Sequence, residues 1–313
     1  QSYQTVAHGA DTIQFFQLRR SMGGCEKFHG AVIDHNGKAS GRVFEDVKQV
    51  GISLEKLDEI CGTKTDAKVA LIFDSKNVWA LSNASGFINA DKKYMKTCLQ
   101  HYKSFWKRGV DVDVISTGED LSAYDLVVMP MLYSLTQEQI SRIEGYVASG
   151  GTVVATYATG YVNETDLCYL GGFPGNQLKD VFGLTADEID SLYETDKNAV
   201  LWNGNTYDVV DYCELITPTT AQVLGTYKED FYKEMPALLK NSYKAGTAYY
   251  IGCRDTGELT DRLYGEILSD LNIPVYDLPE GVTIRSREKY LFVQNFNDHA
   301  VNVALPGTYR NME

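Results

Sequence analysis

Val69-Ala70-Leu71-Ile72-Phe73, followed by Asp74, is the stretch that decides the fold of this 313-residue chain. The run is apolar without interruption, which is typical of a central parallel strand that is covered on both faces. Similar strand patterns follow it at 112–115, 126–130, 152–156 and 248–252. Helical patterns separate most of these strands. The alternation predicts an α/β domain with a doubly wound sheet.

Three amphipathic patterns predict the main helices of this domain. The first covers residues 91–108, the second begins at Thr136 with Gln139 as its capping-box partner, and the third follows the last strand. The residues expected to face the core are Met95, Leu99, Tyr102 and Trp106 in the first helix, Ile140, Ile143 and Val147 in the second, and Leu259, Leu263, Ile267 and Leu271 in the third. Each helix can therefore cover one face of the sheet.

The rest of the C-terminal half gives weaker or different patterns. From Gly160 to about Ser242 the sequence predicts loops and irregular pieces. After residue 276, polar and apolar residues alternate at 282–285, 290–295 and 301–304. This period of two predicts short antiparallel strands of a small β domain.

The N-terminal segment predicts a separate strand–loop–helix unit. Phe15-Phe16-Gln17-Leu18-Arg19 favours a short buried strand, and the stripe from Val43 to Leu57 favours a helix that ends at Gly62. Between them, Glu26 and His29 lie three residues apart. In a barrel enzyme the loop after a strand faces the substrate, so a carboxylate and an imidazole placed there can bind a polar ligand.

Composition excludes several classes of partner. A net charge of −13 argues against a nucleic-acid or anionic membrane surface, and no apolar run reaches the roughly 18 residues of a membrane span. The six cysteines are scattered without a CxxC pair, which suits reduced thiols in a cytoplasmic protein and gives no metal site. Gly150-Gly151 ends a helix and is not a phosphate loop, because no glycine-rich phosphate motif follows it. We expect no cofactor.

Several motifs, taken in order, resemble the β-galactosidases of glycoside hydrolase family 42. The segments 7–10, 15–19, 24–30 and 34–35 resemble the end of that family's catalytic barrel. The segments 69–74, 79–81, 121–133, 150–152, 166–175 and 277–282 resemble that family's trimerisation domain. The resemblance covers nearly the whole chain.

The resemblance implies a retaining β-galactosidase that hydrolyses terminal β-D-galactosides. Such enzymes use two glutamates roughly 5 Å apart, an acid/base and a nucleophile. The family takes both from earlier barrel strands, so we expect the chain to be a fragment without a catalytic residue. By its motif, Glu26 matches a substrate-binding glutamate, His29 its companion, and Phe16 an aromatic residue that lines the same galactose subsite.

The implied domains are 1–64, the last β/α unit of a TIM barrel; 65–275, a trimerisation domain; and 276–313, part of a C-terminal β domain. The resemblance also implies a homotrimer. We expect the aromatic loops around Trp79 and at 169–174 to contribute to it, unless these residues pack within one chain. The alternative to an enzyme is a non-catalytic α/β module for oligomerisation or carbohydrate binding.

The central sheet is also similar to flavodoxin-like and class I glutamine amidotransferase domains, in which one strand leads to a nucleophilic cysteine. Here the strand 152–156 leads to Tyr157-Ala158-Thr159-Gly160, with no cysteine. This argues against amidotransferase activity.

Four further residues have competing assignments. We expect His8 to be a packed histidine and Asp74 to cap a loop. His35 and Arg19 can each orient Glu26 or serve the structure alone.

Overall fold

The computed structural model describes residues 1–86, 91–305 and 307–312. The chain divides into two compact units, one made of 67–275 and the other of 1–66 together with 276–313.

The 67–275 unit is a mixed α/β structure around one large sheet. Its strands are β1 (Val69–Ile72), β2 (Val112–Ile115), β3 (Leu126–Met129), β4 (Thr152–Thr156), β5 (Leu184–Ser191), β6 (Asn198–Trp202), β7 (Asn205–Pro218), β8 (Gln222–Tyr227), β9 (Pro236–Tyr243), β10 (Gly246–Ile251) and β11 (Cys253–Asp255). The helices are numbered along the whole chain, and α1 and α2 lie in the other unit. This unit contains α3 (Ser75–Asn83), α4 (Tyr94–Trp106), α5 (Gln137–Ala148), α6 (Leu178–Phe182) and α7 (Glu258–Asp270).

Half of the sheet is parallel, in the order β2-β1-β3-β4-β10. Successive residues of these strands face opposite sides, so Val128 and Val154 pack in one core with Leu263. Val127 packs in the other core with Ile140. Both faces are therefore covered, which explains the uninterrupted apolar runs. The five strands predicted from those runs are confirmed.

The other half of the sheet is antiparallel, in the order β11-β7-β6-β8-β9, with β5 paired to β7. The prediction of loops and irregular pieces between 160 and 242 therefore holds for 160–177 and is wrong from Leu184 onward, where the strands begin. Asn203-Gly204 was the available signal, because it joins β6 to β7 through a two-residue turn with φ of 49° and 76°. Such a dipeptide is a strong mark of a hairpin. Register shifts in β5 and β8 obscured the alternation in their sequences.

The capping of α5 is confirmed. The Gln139 N–H donates to Thr136 Oγ1 at 3.1 Å, and the Thr136 N–H donates to Gln139 Oε1 at 2.8 Å. The residues predicted to face the core in α5 and α7 are buried, apart from Leu271, which is partly buried at the C-cap of α7. Helix α3 was not predicted. Asp74 caps the start of this helix by accepting from the Lys76 N–H at 2.8 Å, so it caps a helix and not a loop as predicted.

The prediction for α4 chose the wrong face. Met95 and Leu99 are 52% and 57% exposed. The helix instead buries a stripe displaced by one position: Tyr94, Cys98, His101 and Phe105. Both stripes have helical spacing, and the buried one contains a histidine that bonds the Tyr264 hydroxyl. Because the buried stripe contains this polar residue, the sequence pattern did not identify it as the face that packs in the core.

The 1–66 and 276–313 unit contains α1 (Ser2–Ala7), α2 (Arg42–Glu55), a 3₁₀ turn (Asp58–Ile60), β12 (Val282–Arg287) and β13 (Tyr290–Asn295). β12 and β13 form the predicted antiparallel pair, whereas 301–304 is not a strand. Arg287 is fully buried and donates to the carbonyls of Val6, Ala10, Ile60 and Thr63 at 2.8–3.2 Å. This arginine joins the two ends of the chain in one unit.

Two predictions for the N-terminal segment are wrong. Phe15–Arg19 is not a buried strand, since Phe16 is 80% exposed and only an isolated bridge joins Arg19 to Ile33. Helix α2 ends at Glu55 rather than at Gly62, and it buries no residue. A strand needs neighbours on its edges, and residues 1–66 offer this one only the 32–33 segment.

Candidate functional site

The Glu26–His29 loop is closed by a short paired neck. The Val32 N–H donates to Gln17 O at 3.0 Å, and the Ile33 N–H donates to Leu18 O at 2.8 Å. The Arg20 N–H completes the pairing by donating to Ile33 O at 3.0 Å. Residues 21–31 therefore project as one loop from a fixed base.

Glu26 and His29 lie in a single turn of this loop. The His29 N–H donates to Glu26 O at 2.9 Å, so the two side chains start from the same turn. Both residues are exposed. Within the part of the chain that the structure describes, neither side chain makes a hydrogen bond or an ion pair. The carboxylate and the imidazole are thus available to a ligand.

The base of the loop is braced by polar contacts. The ring nitrogen Nε2 of His35 lies 2.9 Å from Ser21 O, and Arg20 pairs with Asp34 at 3.0 Å. The edge of the His35 ring also meets Phe28, with centroids 6.4 Å apart. His35 therefore supports the loop without contacting Glu26. The Arg19 guanidinium lies close to the turn at Gly37.

The other residues that the sequence pointed to lie outside this loop. Phe16 lies directly before the paired neck, with its side chain open to solvent. His8 is exposed, so the prediction of a packed histidine is wrong.

In the ranges 1–86, 91–305 and 307–312, no group of three His, Cys, Asp or Glu side chains could hold a metal ion. Among the described residues, no helix combines the length and the apolar composition that a membrane span requires.

The carboxyl ends of the parallel strands, where α/β proteins usually bind ligands, are filled by side chains. The buried Asn77 amide donates to Met131 O at 2.6 Å and accepts from the Ser134 N–H at 3.0 Å. Arg254 is also buried there, and its Nε donates to the Tyr157 hydroxyl at 2.8 Å. These contacts pair buried polar side chains with one another and with the backbone at this edge of the sheet.

Sequence reasoning missed a buried carboxylate beside this edge. Glu214 in β7 is fully buried and accepts three hydrogen bonds. Tyr161 Oη and the Ala158 N–H donate to Oε1 at 2.5 and 2.7 Å, and Tyr250 Oη donates to Oε2 at 2.8 Å. Burial raises the pKa of Glu214 to about 7, although these bonds lower it in part. Its signal in the sequence was a single acid within the apolar run 212–216.

The fold is that of a mixed α/β protein in which the Glu26–His29 loop and the large sheet belong to different compact units. Three family models match the chain in order. "Beta-galactosidase" matches residues 1–57, "Beta-galactosidase trimerisation domain" matches 67–274, and "Beta-galactosidase C-terminal domain" matches 281–312. The chain belongs to the β-galactosidases of glycoside hydrolase family 42.

Curated relatives agree with this assignment. "Beta-galactosidase GalA" of Bacillus licheniformis is 41% identical over 318 residues, which is 99% of this chain and 47% of that protein. "Beta-galactosidase Pbg" of Clostridium perfringens is 45% identical over 310 residues, 95% of this chain and 45% of that protein. The chain thus spans about half the length of the curated relatives it matches.

Solved structures give the same result. Gan42B, a GH42 β-galactosidase from G. stearothermophilus, has a TM-score of 0.91 and 42% identity over 95% of this chain and 44% of its own. The cold-adapted β-galactosidase from Rahnella sp. R3 has a TM-score of 0.93 and 42% identity over 98% of this chain and 47% of its own.

Proposed function

We propose that this chain is part of a retaining β-galactosidase and contributes side chains to its galactose subsite. The observation that carries the proposal is the Glu26–His29 turn, which presents an unpaired carboxylate and an imidazole from a braced loop. The names of relatives that are 41–45% identical support the reaction class.

Glu26, His29 and Phe16 have distinct roles in this proposal. The Glu26 carboxylate accepts hydrogen bonds from galactose hydroxyls, and its charge strengthens them. The imidazole of His29 makes a further bond to the sugar. The exposed ring of Phe16 offers an apolar face to the C–H surface of the sugar. None of the three takes part in bond cleavage, and the acid/base and nucleophile are glutamates outside these 313 residues.

The direct test is turnover of a chromogenic β-galactoside. We expect no turnover by the purified 313-residue chain, and turnover by a polypeptide in which the chain is joined to the upstream part of its own gene. Activity of the 313 residues alone, above a mock preparation, would contradict the assignment of the catalytic glutamates.

The domain organisation of the whole enzyme is part of the same proposal. Residues 1–64 are the last β/α unit of a TIM barrel, 65–275 are the assembly domain, and 276–313 begin a C-terminal β domain. The exposed apolar residues of 1–66 support the barrel assignment, since the rest of a barrel would cover them. The strand order β2-β1-β3-β4-β10 matches the flavodoxin-like 2-1-3-4-5 order of doubly wound sheets.

The 67–275 unit has an assembly role in this proposal and joins copies into a homotrimer. Its filled strand ends favour a non-catalytic function over a second active site. One exposed apolar area is suited to such a contact, and we name it the loop surface: Trp79, Leu167 and Leu170, which are 68%, 64% and 94% exposed. The Asn83 amide, 3.4 Å from Asp166 Oδ2, joins α3 to the loop that carries the two leucines.

Phe173 does not belong to the loop surface. Its ring stacks on Tyr161 at 4.0 Å and is only partly exposed, so packing within one chain is the better interpretation for this residue. The assembly proposal therefore depends on Trp79 and the two leucines.

A cytoplasmic location is part of the same proposal and is supported by six cysteines that are all free.

A further inference from the structure

The loop of residues 21–31 has few contacts that fix the position of the Glu26–His29 turn. Gly23 and Gly24 lead to the turn, and Gly24 has a φ of 73°, a conformation that glycine adopts without steric cost. No side chain from 22 to 30 is buried. Within the described ranges, no hydrogen bond or ion pair ties residues 22–30 to the chain outside the loop. The paired neck alone would therefore leave the turn free to move.

His35 contacts two parts of this loop. Its Nε2 lies 2.9 Å from Ser21 O, at the start of the loop, and because a carbonyl oxygen can only accept, Nε2 carries a proton and donates it. Its ring meets the Phe28 ring edge to face, with centroids 6.4 Å apart and planes at 86°, a favourable arrangement for two aromatic groups. Phe28 lies between Glu26 and His29 in sequence. One imidazole thus joins the start of the loop to the turn that presents both groups.

His35 is itself fixed, on the chain segment that leaves the neck. Its own N–H donates to Asp34 Oδ1 at 2.6 Å, and Arg20 Nη1 lies 3.0 Å from the same oxygen. The Gly37 N–H donates to Asp34 O at 2.9 Å and closes a turn around His35. An imidazole held in this way can restrain the loop, whereas a freely rotating surface histidine could not.

We propose that His35 is a positioning residue of the galactose subsite, an inference that rests on the proposed function. It holds the turn in the conformation in which Glu26 and His29 reach one sugar, so that binding does not have to order the loop. Loss of the imidazole therefore weakens the binding of galactose. It leaves the chemical step nearly unchanged, because that step uses glutamates outside these 313 residues.

Kinetics of the full-length enzyme test this role. In His35→Ala we expect the KM for a chromogenic β-galactoside and the inhibition constant of free galactose to rise together by about 10-fold, with kcat within about two-fold of wild type. His299→Ala is the matched control, since it removes an exposed imidazole that bonds the neighbouring Asp298, and should leave both constants within about two-fold. Wild-type KM and inhibition constant in His35→Ala would overturn the proposal.

Two conservative variants separate the contacts of His35 and cover a failure of His35→Ala to fold. His35→Gln keeps an amide N–H near the position of Nε2 and loses the ring, whereas His35→Phe keeps a ring beside Phe28 and loses the donor. We expect each to raise KM by about 2- to 5-fold, less than His35→Ala does, because each retains one contact. Wild-type KM in both variants would contradict the proposal.

A variant without the two loop groups distinguishes positioning from a general effect on the fold. In Glu26→Ala/His29→Ala the turn presents no polar group to the sugar, so the addition of His35→Ala should change kcat/KM by less than about two-fold. A further loss of about 10-fold in this background would show that His35 acts through other residues and would refute the positioning role.

The same variants separate the two proposals. Wild-type kcat/KM in Glu26→Ala/His29→Ala would contradict the galactose subsite itself, and with it the inference for His35. A loss in Glu26→Ala/His29→Ala, together with wild-type KM in His35→Ala, would contradict the positioning role alone.

Discussion

The guanidinium of Arg108 binds the carboxylate of Asp261 through two contacts, with Nη1 2.6 Å from Oδ1 and Nη2 3.2 Å from Oδ2. Arg108 follows α4, and Asp261 lies in the first turn of α7. Both side chains are only partly exposed. This bidentate pair therefore fixes the end of one helix to the start of another on the same face of the sheet.

Loss of this pair should lower the stability of the 67–275 unit. We expect Asp261→Asn to reduce the free energy of unfolding in urea by about 1–2 kcal/mol, because a charge-assisted bidentate bond is replaced by a neutral one. Arg262→Gln, which removes an exposed i,i+4 pair with Glu266, is the matched control and should cost less than about 0.5 kcal/mol. Equal effects of the two substitutions would contradict this prediction.

The same pair predicts a loss of stability in acid. Burial raises the pKa of Asp261, but the hydrogen bonds and charge of Arg108 outweigh it, so the pKa lies below its ordinary value of 3.8. The stabilisation is therefore present above pH 3.8 and is lost as the pH falls through the lower, folded-state pKa. The free energies of unfolding of wild type and Asp261→Asn, measured in urea between about pH 2 and about pH 5, should converge at the acid end of this range.

Glu214 has the opposite dependence. Its folded-state pKa of about 7 lies above the ordinary 4.5, so the folded state binds the proton more tightly than the unfolded state does. Stability should fall as the pH rises from 4.5 to about 7, by up to about 3–4 kcal/mol, since each pH unit in this interval contributes about 1.4 kcal/mol. Glu214→Gln should remove this slope in thermal or urea unfolding, and Glu188→Gln, which removes an exposed carboxylate from β5, should not. An unchanged slope in Glu214→Gln would show that another group titrates.

The galactose subsite gives a kinetic prediction for the full-length enzyme. Glu26→Ala should lower kcat/KM by about 10- to 100-fold, because the sugar loses a charge-assisted bond worth about 1.5–3 kcal/mol. His29→Ala should act in the same direction. Glu45→Ala, at an exposed position in the first turn of α2, is the matched control and should leave kcat/KM within about two-fold. Wild-type kcat/KM in both loop variants would remove Glu26 and His29 from the site.

The loop surface gives a prediction for assembly. We expect the chain to sediment as a trimer, and Trp79→Glu or Leu170→Glu to yield monomers, since each places a charge in an apolar contact. Met22→Glu, which alters a highly exposed apolar residue of the other unit, is the control and should not shift the trimer. A folded wild-type chain that is monomeric at micromolar concentration would exclude self-association through this unit.

The close approach of β10 to α5 predicts a steric effect. A Cβ at Gly246 would overlap the backbone oxygens of Val147 and Gly151, so Gly246→Ala should destabilise the unit by about 1–3 kcal/mol. Gly145→Ala, within α5, would meet no atom within 4 Å and should be neutral or stabilising by up to about 1 kcal/mol. Thermal unfolding of the two variants distinguishes these outcomes.

The parallel strands and α5 were predictable because their signals are local and redundant. Runs such as 69–73 are apolar on both faces, and the Thr136–Gln139 box marks the start of a helix directly. The antiparallel strands β5 to β9 of the large sheet were not predicted, because register shifts break their alternation and partly polar faces dilute it. The face of α4 could not be chosen from spacing alone, since its two apolar stripes have the same period.

The candidate site shows the same division between local and long-range information. The Glu26–His29 turn was accessible from three-residue spacing and motif order. The partners of Glu214 come from segments 36 to 56 positions away in sequence, so no local pattern could assemble them. The sequence did contain an acid among apolar residues, which marks a buried polar contact without naming its partner.

Arg287 also determines the order in which the chain can complete its structure. Its guanidinium bonds the carbonyls of Val6 and Ala10, 281 and 277 positions earlier, and the carboxylate of Asp11 at 2.7 Å. During synthesis these acceptors leave the ribosome long before their donor exists, and the whole of 67–275 emerges in the interval. Residues 6–11 therefore remain incompletely bonded until the β12–β13 hairpin has been translated.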